Sequence, residues 1–157
     1  RLVLIGSDSF DIQTQSLSTW ELLKKEFEEE DLEQVSYLGK MSYDNVQEYI
    51  RKANVCVFPS FAETFGMVTI EAMAMQKPVV SNDFGWSQEL IVSGQNGFLV
   101  HPKKHTDFAK TIVTLLEDEP LCEKIGAAAR QRVASVFDIQ KIAQQNIEFY
   151  ESIISKK

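Results

Sequence analysis

Apolar runs of strand length alternate along most of this chain with segments whose apolar positions recur at helical spacing. Leu2-Val3-Leu4-Ile5 opens the pattern and stops at Gly6. Leu17, Trp20, Leu23 and Phe27 then share one face of an expected helix, with Lys24, Lys25, Glu26 and Glu28 on its other side. A short strand is expected at Val35–Leu38, then a helix opened by Ser42 with Val46, Tyr49, Ile50 and Ala53 inward. Val55–Phe58 is apolar throughout, as suits a parallel strand covered on both faces. A helix near Gly66–Gln76, a strand at Pro78–Ser81, a short helix around Gln88–Val92 and a strand at Phe98–Val100 continue the alternation. Beyond it only helices are expected. Thr106 would cap one that ends near Glu117, Pro120 sits at the first helical position of a second, and Asp138 opens a third.

Strand–helix alternation of this kind predicts an α/β fold, a doubly wound parallel sheet with extra C-terminal helices. Right-handed crossovers place the carboxyl ends of the strands on one edge, which is where such sheets bind ligands. At 157 residues, 44% hydrophobic and 25% charged, the chain has the material for one full core. Sixteen Lys and Arg against 23 Asp and Glu leave a net charge of −7, the wrong sign for binding a nucleic-acid duplex. No apolar run approaches the ~20 residues of a membrane span, and no signal-peptide pattern opens the chain. Cys56 and Cys122 lack metal-ligand spacing and read as reduced thiols of a cytoplasmic protein. Arg1 runs straight into a buried-strand pattern, so the chain is expected to be one piece of a longer protein, with residues 1–157 forming a single ligand-binding domain.

The chemistry concentrates in Pro59–Met75, which leaves a strand, makes a loop and enters a helix. The first turn of a helix has amide N–H groups without internal partners, plus roughly half a positive charge from the dipole. With Gly66 at the turn, strand, loop and helix start together form a seat for an anion, phosphate above all. Glu63 and Glu71 flank that seat, and carboxylates repel phosphate but accept hydrogen bonds from hydroxyls. A ligand with an anionic middle and hydroxyl-rich ends fits, and a nucleotide diphosphate sugar has that pattern. Other readings of the same residues stand beside this one. Glu63 also reads as a solvated loop residue, Glu71 as a carboxylate partnered by Lys77 or an amide, and Gly66 as a residue that only eases a tight turn. Ser7-Asp8-Ser9 and Thr14-x-Ser16 follow the first strand with hydroxyls that would suit a flavodoxin-like flavin carrier. No G-x-G-x-x-G follows any strand, which disfavours a dehydrogenase. His101 and His105, beside Pro102, Lys103 and Lys104, read as surface-loop residues and not as metal ligands.

The ordered series Pro59-Ser60, Glu63-x-Phe65-Gly66, Glu71-Ala72-Met73-Ala74, Pro78-Val79-Val80 and Gly94-x-x-Gly97-Phe98-Leu99-Val100 resembles the C-terminal domain of glycosyltransferase family 4, also called group 1. These are retaining enzymes of the GT-B architecture, whose C-terminal half is a Rossmann-like doubly wound parallel sheet. The resemblance runs over nearly the whole chain. It implies that Glu63 contacts donor-sugar hydroxyls at the reaction centre, and that the amides around Phe65, Gly66, Met67 and Val68 hold the sugar and diphosphate. It further implies that Glu71 accepts from the ribose hydroxyls and that the Gly39-Lys40-Met41 turn meets the nucleotide base. Such enzymes take a UDP- or GDP-sugar as donor and need no obligatory metal and no other cofactor. They bind an acceptor glycan or lipid through an N-terminal domain and work in the cytoplasm, often at the inner face of a membrane. The alternative from another class is a non-catalytic nucleotide-binding module of the same fold. The chain departs from the family pattern at Trp86, in place of the second of two glycines, and at Gln76, in place of a glycine. The basic residues that usually hold the diphosphate would precede Arg1, so the piece alone is expected to bind donor weakly and not to catalyse. Ile139, Ile142, Ala143, Ile147, Tyr150, Ile153 and Ile154 form a long apolar stripe, which reads equally as a face that meets the absent domain or a second copy and as one packed wholly on the local core.

Overall fold

The computed structural model describes residues 1–155. The chain divides into two compact units, Arg1–Tyr49 and the residues from Ile50 onward. In the first, β1 (Leu2–Leu4) pairs in parallel with β2 (Val35–Tyr37), Leu2 opposite Val35 and Leu4 opposite Tyr37. Between them lie α1 (Thr19–Lys24) and the single turn α2 (Glu29–Leu32). The one helix expected from Leu17 to Phe27 is therefore shorter and starts later. Ser18 caps it by accepting from the Glu21 amide, so Leu17 lies before the helix and is 87% exposed.

Asp8 organises the loop that precedes α1. Its carboxylate accepts from the Ser18 and Thr19 hydroxyls and from the Trp20 and Ser9 amides. Those bonds, the Ser18 hydroxyl foremost, hold its pKa at about 2. Two of the flavin-carrier hydroxyls are already engaged: Thr14 donates to the Asp11 carboxylate and Ser16 to the Ser18 carbonyl. Trp20 stacks on Tyr37 with ring centres 4.9 Å apart, beside an open cleft of about 210 Å³ bounded by Gly6, Asp8 and Leu23. No residue in 1–49 is fully buried.

Helix α3 (Tyr43–Lys52), opened after Ser42, carries the chain into the second unit. There β3 (Cys56–Phe58), β4 (Val79–Ser81) and β5 (Phe98–Leu99) form a parallel sheet in that spatial order, with Phe58 opposite Ser81 and Ser81 opposite Leu99. All three strands lie where the apolar runs placed them. The central strand β4 is fully buried, and Val80 anchors a core with Phe108, Leu115 and Ile125. Burial also pushes the Cys56 thiol up to about 11, Lys77 offsetting part of the effect.

The helices of this unit are α4 (Met67–Ala74), α5 (Ser87–Leu90), α6 (His105–Glu117), α7 (Glu119–Val136) and α8 (Ile139–Ile154). Asp138 caps α8 by accepting from Gln140 and Lys141, as its position before an apolar stripe predicts, whereas α7 starts one residue ahead of Pro120, capped by Asp118, which accepts from Leu121. The Thr106 cap is a correction. Helix α6 begins two residues earlier than a cap at Thr106 would have it, and Lys104 occupies its cap position without a side-chain bond.

Candidate functional site

Strands β3 and β4 are parallel neighbours, so the loops that leave their carboxyl ends emerge side by side. The first, residues 59–66, leads into α4; the second, residues 82–86, leads into α5. A buried polar cluster braces the second loop. The Ser87 hydroxyl donates to the Asn82 side-chain oxygen, Ser81 Oγ lies 3.2 Å from Ser87 Oγ, and Asn82 Nδ2 donates to the Phe84 carbonyl at 3.0 Å. Ser81 Oγ also donates to the Phe58 carbonyl across the strand pair at 3.4 Å, tying the two loops at their roots.

Gly66 stands at the N-cap of α4 with φ +68° and ψ +40°, the left-handed region that costs an L-residue about 1–2 kcal/mol. A Cβ there would meet Trp86 Cδ1 at 3.6 Å and Glu63 Cγ and Thr69 Oγ1 at 3.7 Å, all ordinary contacts. Backbone conformation therefore demands the glycine; the room that a missing Cβ leaves does not. The turn aims the start of the helix outward. Among the described residues, the amides of Phe65, Gly66, Met67 and Val68 donate to no acceptor, and the first α4 bond is from Ile70 to the Gly66 carbonyl. Phe65, Met67 and Val68 are exposed at 40%, 54% and 45%. Four free donors at the positive end of a helix make an electrostatic seat for an anion.

The two glutamates differ. Glu63 is exposed, and its Oε1 accepts from the following Thr64 amide at 3.0 Å. Glu71 is half-buried on α4, and its carboxylate has no hydrogen-bond or ion-pair partner among the described residues. The pairing with Lys77 is not made. On α4, Thr69, Ile70, Ala72 and Met73 are buried, whereas Met67 and Val68 in its first turn are exposed. Met73 is core, Met67 surface.

Gly39, Lys40 and Met41 belong to the first unit, directly after β2. Gly39 adopts φ +64° and its carbonyl accepts from the Gly6 amide at 3.0 Å; Lys40 is exposed and Met41 half-buried. His101 lies against Phe84, its Nδ1 accepting from the Lys103 amide at 3.1 Å, and His105 starts α6. Within the second unit the structure brings together Glu63, Gly66 and two residues for which composition gave no role. Thr69 and Trp86 both reach Gly66, and Trp86 stacks on Phe65 with ring centres 4.7 Å apart. The signal for Trp86 was its bulk at a position where glycine was expected.

An α/β chain with parallel sheets and an anion seat at a helix start defines a broad class of phosphate-ligand proteins. Comparison with known proteins narrows it. Residues 1–132 match the family model of group 1 glycosyl transferases, and the chain belongs to that family. An uncharacterized glycosyltransferase of Methanocaldococcus jannaschii is 31% identical over 123 residues, covering 78% of this chain and 35% of the relative. Sucrose-phosphate synthase of Thermosynechococcus elongatus superposes with a TM-score of 0.81 at 30% identity, covering 99% of this chain and 39% of the synthase. Anabaena HepE, solved in complex with UDP and glucose, gives 0.81 at 30% identity, over 96% of this chain and 40% of its own. The fold is that of the Rossmann-like C-terminal domains of GT-B glycosyltransferases. The chain spans only 35–40% of the length of these relatives.

Proposed function

We propose that this chain is the donor-binding, C-terminal domain of a retaining glycosyltransferase, residues 1–157 acting as one nucleotide-sugar-binding domain. The observation that carries the proposal is the set of four unpaired amides at Phe65–Val68, with a partnerless Glu71 carboxylate four residues into the same helix. In this reading the amides cup the donor diphosphate. Glu63 accepts from sugar hydroxyls at the reacting centre, Glu71 accepts from the ribose, and Gly39, Lys40 and Met41 meet the base. Family membership and the UDP and glucose held by the HepE structure support a UDP- or GDP-hexose as donor.

The acceptor hydroxyl, on a glycan or lipid held by an N-terminal domain, bonds to the anomeric carbon from the face that the leaving group departs. The bond from that carbon to the phosphate oxygen breaks, and the hydroxyl proton passes to the leaving phosphate. Glu63 stabilises the developing positive charge on the sugar. No step requires a metal or a further cofactor. The α8 stripe meets the N-terminal domain in the whole protein and a second copy when the chain stands alone. The whole enzyme works in the cytoplasm, peripheral to a membrane where its acceptor is a lipid; among the described residues no helix is long and apolar enough to cross one.

Thermal melting with UDP and with GDP tests the reading. Millimolar nucleotide should raise the Tm, since a ligand that binds only the folded chain stabilises it. Glu71→Ala should weaken binding about 10- to 100-fold, the value of one or two hydrogen bonds to a carboxylate at ~1.5–3 kcal/mol. A Tm indifferent to both nucleotides would overturn the proposal.

A further inference from the structure

Trp86 is held from three sides. Gly85 turns the chain before it with φ +63°, and the Ser81–Asn82–Ser87 cluster fixes the residues around it. Phe65 covers one ring face, its own edge pressed by Phe137 at 6.1 Å. The edge of the indole meets the Gly66 turn at the same point as the Glu63 side chain, Cδ1 and Cγ lying 3.6 and 3.7 Å from where a glycine Cβ would stand. The ring thus shares the Gly66 turn with the side chain of Glu63, the residue to which the donor-site reading gives the sugar. Its Nε1 is covered and has no acceptor, so packing alone fixes its position. A rigid, braced aromatic at that point subtracts volume from whatever Glu63 holds.

We propose that Trp86 selects the donor sugar: it forms a wall beside Glu63 that admits a hexose with free hydroxyls and excludes one carrying a bulky substituent such as a 2-acetamido group. The inference rests on the donor-site reading above and adds to it the class of sugar. Small changes of room in a packed pocket move discrimination by about 10- to 200-fold. The wall also touches Phe65 and Gly66, whose amides belong to the phosphate seat, so its role toward the sugar is read from the ratio of two sugars on the same nucleotide, in which an effect on the seat cancels.

Chemical-shift titrations with UDP, UDP-glucose and UDP-N-acetylglucosamine test this on the wild type, Trp86→Gly and Trp86→Phe. In Trp86→Gly the preference for UDP-glucose over UDP-N-acetylglucosamine should fall at least about tenfold in a variant that still binds UDP. Trp86→Phe, which keeps a ring against Phe65, should hold most of the preference. Should Trp86→Gly fail to fold, Trp86→Leu carries the same comparison with a partial wall and an intermediate preference. A glucose to N-acetylglucosamine ratio unchanged in a folded variant that still binds UDP overturns the selectivity role and leaves the donor site standing. A wild type that binds none of the three overturns the donor site, and the selectivity role with it.

Discussion

Asp8 gathers four donors on one exposed carboxylate, two hydroxyls and two amides, and pays for this with nothing but a lowered proton affinity. Its folded pKa of about 2 lies below the ordinary 3.8, so the bonds stabilise the fold fully above 3.8. That contribution is lost as pH falls toward 2 and the carboxylate protonates. Urea unfolding of the wild type and Asp8→Asn should therefore differ at about pH 5, the wild type being more stable, and converge toward pH 2. A gap that stays constant across that range contradicts the assignment. The sequence marks Asp8 only as one of several polar residues after a strand; its role depends on Ser18 and Thr19 coming back to it across ten residues. Trp86 raises the same point. Its departure from the glycine pattern was visible, but its partner Phe65 and its edge contact with Gly66 exist only because β3 and β4 are neighbours. The covered, unpaired indole N–H costs about 1–3 kcal/mol, which a Phe would not.

Helix α4 is bounded at both ends by left-handed residues, Gly66 at φ +68° before it and Gln76 at φ +62° after it. The C-terminal end closes as a Schellman motif, the Gln76 amide donating to the Met73 carbonyl and Lys77 to Ala72, both at 3.0 Å. This explains the glycine expected at position 76: the motif wants φ positive and here carries a glutamine instead. Gln76→Gly should stabilise the protein by about 1 kcal/mol, read as a raised Tm; an unchanged or lowered Tm would show that the Gln side chain compensates. Elements such as this were legible because their signals are local. The buried run at Val55–Phe58, the cap at Asp138 and the proline at the start of α7 all act within a few residues of themselves. Local signals failed where a competing one lay nearby. Ser18 started α1 late and left Leu17 outside, and the turn at His101–Lys104 started α6 ahead of Thr106.

At the scale of the whole molecule, burial is uneven. The buried core lies from Ile50 onward, the preceding unit has no fully buried residue, and α8 buries none of its side chains completely. Ile139 is 75% exposed, Tyr150 64% and Ile154 73%. An apolar stripe predicts that a helix face will be covered, but periodicity cannot say by what. If a second copy covers it in the isolated chain, sedimentation velocity should show association that rises with concentration, and Ile147→Glu with Ile153→Glu should abolish it with little loss of Tm. A wild-type monomer at all concentrations would contradict that. The parallel order of the strands was legible from alternation, and the site's place at their carboxyl ends followed from it. The chain's division into two units was not, since apolar periodicity is the same on either side of Tyr49.

The central claim is that the free amides of Phe65–Val68 hold the anionic part of a nucleotide sugar. Backbone amide resonances observed during a titration with UDP address it atom by atom. The account predicts that the largest shifts fall on Phe65, Gly66, Met67 and Val68 and saturate with a single Kd, and that Glu71→Ala raises this Kd while the same four amides respond. Shifts that spare these four residues while UDP demonstrably binds elsewhere on the chain would contradict it.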